Sequence, residues 1–196
     1  MWSFHRRNFL GRGAALATAG AAVLSVKSFP RRIAGAGTTA NGAGAEARLK
    51  ELGITLGAPS QPAAPFQPGV LVDNMLYISG HGPRKSEGGF VKGRVGQTLT
   101  LEEGKKAARL TGLDILSTVR DTLGSLDRVA RLVKVTGMVN STDDFEQHPQ
   151  VINGFSELMI DVFGEELGKG ARSAVGMSGL PFGIAVEVEA IFQVRV

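Results

Sequence analysis

The sequence has no cysteine, which removes disulfides, thiol nucleophiles and thiolate metal sites together and suits an oxidising compartment, where a stray thiol is a liability. Histidine is nearly as scarce. His5, His81 and His148 lie far apart, none pairs with another at the i, i+4 spacing of a helical metal motif, and no metal site is expected. No apolar run reaches the roughly 20 residues that a spanning helix requires. The alanine-rich run from Ala14 to Val26 has instead the length of a signal h-region. No nucleotide loop is present either: Gly35-Ala36-Gly37 follows no strand and opens no helix, so it is not a dinucleotide motif. Ser178, in Gly176-Met177-Ser178-Gly179, has the wrong frame for a nucleophile elbow, and nothing points to a Ser-His-acid hydrolase.

Acidic residues are also missing from the first 45 positions, which carry Arg6, Arg7, Arg12, Lys27, Arg31 and Arg32. Arg6-Arg7 followed by Asn8, Phe9 and Leu10 fits the twin-arginine export pattern. Ala34-Gly35-Ala36 is a small-x-small cleavage site, and Ala43-Gly44-Ala45 is a second. The expected organisation is a twin-arginine signal over 1–36, a flexible Gly/Ala/Thr linker over 37–45 and one domain over 46–196. The expected partner of the first segment is the Tat export machinery, the expected location periplasmic or otherwise exported, with no stable membrane anchor after cleavage. Export also changes the charge. The whole chain is +4, but without those six cations 16 basic residues face 18 acidic ones. The domain is thus near −2, and the basic surface that nucleic-acid binding requires is gone.

Within the domain, Glu46 to Leu52 is a short amphipathic segment ending at Gly53, followed by the proline-rich loop Pro59 to Pro65. Val70-Leu71-Val72 and Met75 to Ser79 flank Asp73-Asn74, which tolerate positive φ, and predict a β-hairpin. A further short strand is predicted near Phe90. Thr100 and Glu103 form a capping box at the start of a helix whose apolar stripe runs through Ala108, Gly112, Ile115, Leu116, Val119 and Leu123 to a Gly124 C-cap. Val129 to Val139 reads as a strand with Val129, Arg131, Val133, Val135, Gly137 and Val139 on one side. A second helix begins near Pro149, carries Ile152, Phe155, Leu158, Met159, Val162 and Phe163, and stops at Gly164. Two strands close the chain. Ser173, Val175 and Met177 alternate in the first, and in the second, Ile184 to Val194, Glu187 and Glu189 point away from Val186, Val188 and Ala190. One mixed sheet with both helices on one face satisfies this order most simply.

The pair with chemical potential is Arg172, at the start of one C-terminal strand, and Glu187, on the polar face of the next. Strand pairing that brought them together would make a salt bridge. Alternatively, the planar guanidinium fork suits a substrate carboxylate, and a glutamate beside it could order or deprotonate a water.

Gly170 to Gly176, Leu180-Pro181 and Val186 to Ile191, with Asn74 to Pro83, resemble the Rid family, also called the YjgF family, over roughly Leu56 to Val196. The resemblance implies a chorismate-mutase-like α/β (α+β) fold and a homotrimer with ligand clefts between subunits. It also implies cofactor-free hydrolysis of small 2-imino or enamino acids to 2-keto acids and ammonia. On that resemblance Arg172 grips the substrate carboxylate, the backbone N–H of Ala174 assists, and Glu187 positions the attacking water. Gly80 and His81 line the cleft, and Asn153 matches an asparagine that deaminating members often carry. Three positions depart from the active pattern. Phe66 stands near a common active-site tyrosine and lacks its hydroxyl, His81 replaces a glutamine-like residue, and Ala174 one that is often cysteine. Phe163-Gly164-Glu165 resembles the pattern of a divergent subgroup of the family. Two further readings stand beside the deaminase: a non-catalytic carboxylate-binding module, and an endoribonuclease-type activity that the acidic domain disfavours.

Overall fold

The computed structural model describes residues 44–59, 61 and 65–195. The expected export signal and its first cleavage site, Ala34-Gly35-Ala36, lie outside them, as does the expected linker apart from Gly44 and Ala45. Chain reversals fall where the sequence supplies residues able to make them. Asp73 adopts φ 52° and turns β1 (Gly69–Val72) back into β2 (Met75–His81). Thr100 caps α2 (Leu101–Leu123) through a reciprocal capping box: its Oγ1 accepts from the Glu103 N–H at 3.2 Å, while the Glu103 carboxylate accepts from the Thr100 N–H at 2.8 Å. Gly124 closes that helix in the left-handed region.

The remaining elements are the seven-residue helix α1 (Ala45–Glu51), β3 (Val129–Asn140), α3 (His148–Phe163), the single turn α4 (Glu165–Gly168), β4 (Ala171–Met177) and β5 (Val186–Val194). The strands form one sheet in the order β1-β2-β5-β3-β4, antiparallel except for the β3–β4 pair. That pair is parallel because its strands are joined by α3 as a crossover helix, which also sets β4 at the sheet edge.

Both long helices pack on one face. Leu76 and Ile78 of β2, Val135 and Val139 of β3, and Val186, Val188, Ala190 and Phe192 of β5 point into it and are buried. They meet Ile115, Leu116 and Val119 of α2 and Ile152, Phe155, Leu158 and Met159 of α3. Each large side chain so buried contributes about 1.5–3 kcal/mol relative to exposure. The opposite face carries Val70, Val72, Tyr77, Val175 and Met177, all exposed, and no helix of the described residues covers it.

Three features differ from the sequence expectation. Near Phe90 there are only isolated bridges, Arg84 with Phe90 and Lys92 with Ile184, because the segment follows a glycine-rich turn and never runs alongside a neighbour for long. β3 is bulged between Val129 and Arg131 and between Leu132 and Lys134, so Leu132, not Val133, fills the core opposite Phe192. Finally, β4 and β5 are not neighbours, since β3 lies between them.

Candidate functional site

Arg172 lies in register with Val135, a core-facing residue, so its side chain leaves β4 on the helix-covered side. There it meets the middle of α3. One terminal nitrogen, Nη1, donates to Asn153 Oδ1 and to Ser156 Oγ, each at 2.9 Å. Both acceptors are neutral. Among the described residues no carboxylate comes within ion-pair range of the guanidinium, and partial burial alone pulls its pKa below the usual arginine range. The cation is oriented but not neutralised. Ala174, two residues on and half-buried, shares the same side of β4.

Glu187 stands on the other side. Its partner Met138 and the alternation of β5 put it on the open sheet face, away from Val186 and Val188. Burial raises its pKa, and the like charge of Glu189 adds to the rise. Its carboxyl group occupies the space where a side chain of Gly80 would begin: a Cβ there would fall onto Oε1. Any side chain at residue 80 would therefore displace the Glu187 carboxyl group from its place.

The structure thus brings Arg172 to Asn153 and Ala174, and Glu187 to Gly80, but it does not bring the two groups together. The salt bridge that strand pairing would have made does not form, because β3 separates the strands and the two side chains leave opposite faces of the sheet. His81 needs a second correction. It is 4% exposed, with its ring under α2: Nδ1 donates to Ser79 O at 2.7 Å, and Nε2 takes the hydrogen of Thr118 Oγ1 at 2.8 Å. The β-bulge just before it turns its side chain to the helix side. Phe66 is half-exposed on the approach to β1.

Sequence reasoning missed Ser156, although its i, i+3 spacing from Asn153 was a signal that the two share a helix face. His148 is the first residue of α3, 3.0 Å from Ser141 Oγ and edge-on to Phe145, in the wall of a cleft of about 270 Å³ at the carboxyl ends of β3 and β4. Among the described residues no group of three His, Asp or Glu side chains could hold a metal ion.

Residues 46–185 match the family described as YjgF/chorismate mutase-like, putative endoribonuclease. The chain belongs to the YjgF/Rid family. It is 44% identical over 149 residues to protein TCP17 of Trypanosoma cruzi, covering 76% of this chain and 93% of that one. A solved structure of a protein of unknown function from Agrobacterium tumefaciens, Atu1372, superposes with a TM-score of 0.70 at 40% identity, over 78% of this chain and 92% of that one. A structure from Shewanella oneidensis, described as a putative endoribonuclease, gives 0.74 at 25% identity over 78% and 100%. The five-stranded sheet with its helices on one face is the YjgF/chorismate-mutase-like fold. In this YjgF/Rid chain Arg172 and Glu187 sit on opposite sides of that sheet.

Proposed function

We propose that this protein binds a small 2-imino or enamino acid through Arg172 and hydrolyses it to the 2-keto acid and ammonia, in clefts formed between the subunits of a homotrimer. The observation that carries this reading is the state of Arg172. Its guanidinium is held at one nitrogen by Asn153 and Ser156 and meets no carboxylate among the described residues. A partly desolvated cation of this kind gains most from an incoming carboxylate, which it can grip with its remaining N–H groups. Because Glu187 leaves the opposite face of the same sheet, it can serve that ligand only from a neighbouring copy. The uncovered apolar face bearing Val70, Val72, Tyr77, Val175 and Met177 supports such an assembly.

In the reaction, water adds to the C=N carbon while a proton passes to Glu187, giving a carbinolamine. Glu187 returns that proton to the nitrogen, then takes the hydroxyl proton and delivers it to the same nitrogen as the C–N bond breaks, so that ammonia leaves and the keto group forms. A carboxyl group whose pKa is raised by burial suits this give and take.

The test is an imine-hydrolysis assay on the mature domain, with the imine generated in situ from several amino acids. Arg172→Ala should lose at least a hundredfold in kcat/KM, about 3 kcal/mol, with its circular dichroism unchanged. Undiminished turnover in that variant sinks the mechanism.

A second reading is favoured by Phe66 and Ala174, which bring neither hydroxyl nor thiol: the cleft binds a small carboxylate without turning it over. Tight binding of 2-oxobutanoate with no hydrolysis of any imine offered would select it.

A further inference from the structure

We propose that His81 is a positioning residue that sets the carboxyl group of Glu187 through the bulged backbone at Ser79 and Gly80. This rests on the reading that Glu187 serves the reaction. On β2 and β5, Ile78 pairs with Ala190 and His81 with Val188, so Ser79 and Gly80 together stand opposite the single residue Glu189. A bulge of this kind bends its strand and needs something to hold its unpaired segment. Here the holder is the imidazole. Its Nδ1–H donates to Ser79 O at 2.7 Å, inside the bulge, and its Nε2 accepts from Thr118 Oγ1 at 2.8 Å, on α2. The bulge is thereby tied to the longest helix, while Ser79 N–H is tied on its other side to Pro68 O at 3.1 Å. Gly80, the next residue, presents its bare Cα to the Glu187 carboxyl group. The space in which Glu187 sits is therefore bounded by backbone whose course the imidazole fixes from the far side of the sheet.

This arrangement requires the neutral ring, because the same imidazole donates at one nitrogen and accepts at the other. Burial lowers the pKa of His81, and the Ser79 bond and Asp114 oppose that shift only in part. The charged groups facing it are Asp114 of α2 and Arg84 of the loop after β2, themselves paired Nε to Oδ1 at 3.4 Å, while β5 contributes only Val188 opposite it. The charged group near Glu187 is Glu189. Protonating His81 would place a second cation beside Arg84 and force the Thr118 hydroxyl to turn from donor to acceptor.

Two variants test this. Thr118→Val removes the Nε2 partner without touching either strand, and His81→Gln keeps a polar group in reach of Thr118. The first readout is the titration of the Glu187 side-chain carboxyl carbon by NMR, followed in the intact trimer or whatever assembly the mature domain forms. The second is the pH profile of imine hydrolysis. The expected result is a displaced Glu187 midpoint in Thr118→Val, smaller in His81→Gln, together with a kcat loss of about tenfold and an unchanged KM, since Arg172 still carries binding. An identical Glu187 midpoint in the wild type and both folded variants overturns the assignment. If the wild type hydrolyses no imine, the deaminase reading fails, and the Glu187 titration still decides the role of His81. If Thr118→Val does not fold, His81→Gln decides it alone.

Discussion

Arg172 and Glu187 show how two strands of one sheet, separated by a third, can hold opposite charges in unlike environments. Arg172 is steadied by two neutral oxygens, which orient it and leave its charge unspent. Glu187 is crowded by burial and by Glu189, so it holds its proton to higher pH than a free glutamate does. The sign of the linkage follows. Between the ordinary glutamate pKa, 4.5, and its raised value, the folded chain binds more protons at Glu187 than the unfolded chain does, so stability falls as pH rises through that window. Glu187→Gln removes this slope. Melting temperatures of wild type and variant measured from pH 4 to 7 should diverge in the variant's favour as pH rises, and a constant gap would refute the raised pKa. The identities of both residues were legible in the sequence, as was Asn153. Their separation was not, because alternation along each strand says which side a residue takes relative to its own neighbours and nothing about which strand lies beside it.

Among the elements, α3 carries most of the consequence. As a crossover helix it makes β4 parallel to β3 and places it at the edge, and its half-buried stripe supplies Asn153 and Ser156 to Arg172. Its seating against α2 depends on Gly154, where an added Cβ would drive into the carbonyl of Lys105. Backbone cannot yield as a flexible side chain can, so Gly154→Ala should cost about 1–3 kcal/mol despite alanine's better helix propensity. Chemical denaturation measures it, and a stabilised variant would show that the helices slide apart without penalty. Both long helices could be read from the sequence, since capping residues and a 3.6-residue apolar period are local. The bulges of β3 and β2 could not. Each is a mismatch in count between two strands, so Val133 looked like a core residue and His81 like one that faces a cleft.

For the whole molecule, the open sheet face is where the proposed trimer would form. Val175 and Met177 on β4 and Val70 and Val72 on β1 lie at its two edges, and the proposed trimer buries them. Light scattering on the mature domain should give three times the chain mass. Val175→Asp should give folded monomers without imine hydrolysis, because Arg172 would then have no neighbour's Glu187 to work with. A wild-type monomer that turns substrate over would contradict the intersubunit cleft. By itself the sequence determined the order of the long helices and the main strands, the apolar faces of the helices, the family and the identities of the candidate site residues, since each of these is written in local spacing and in residue type. Only the tertiary structure decided that β3 lies between the two C-terminal strands, that the guanidinium and the carboxyl group leave opposite faces, and that His81 is buried. Those are facts about which distant segments become neighbours, and the packing of α3 and the bulges sets them, not the period of any one strand.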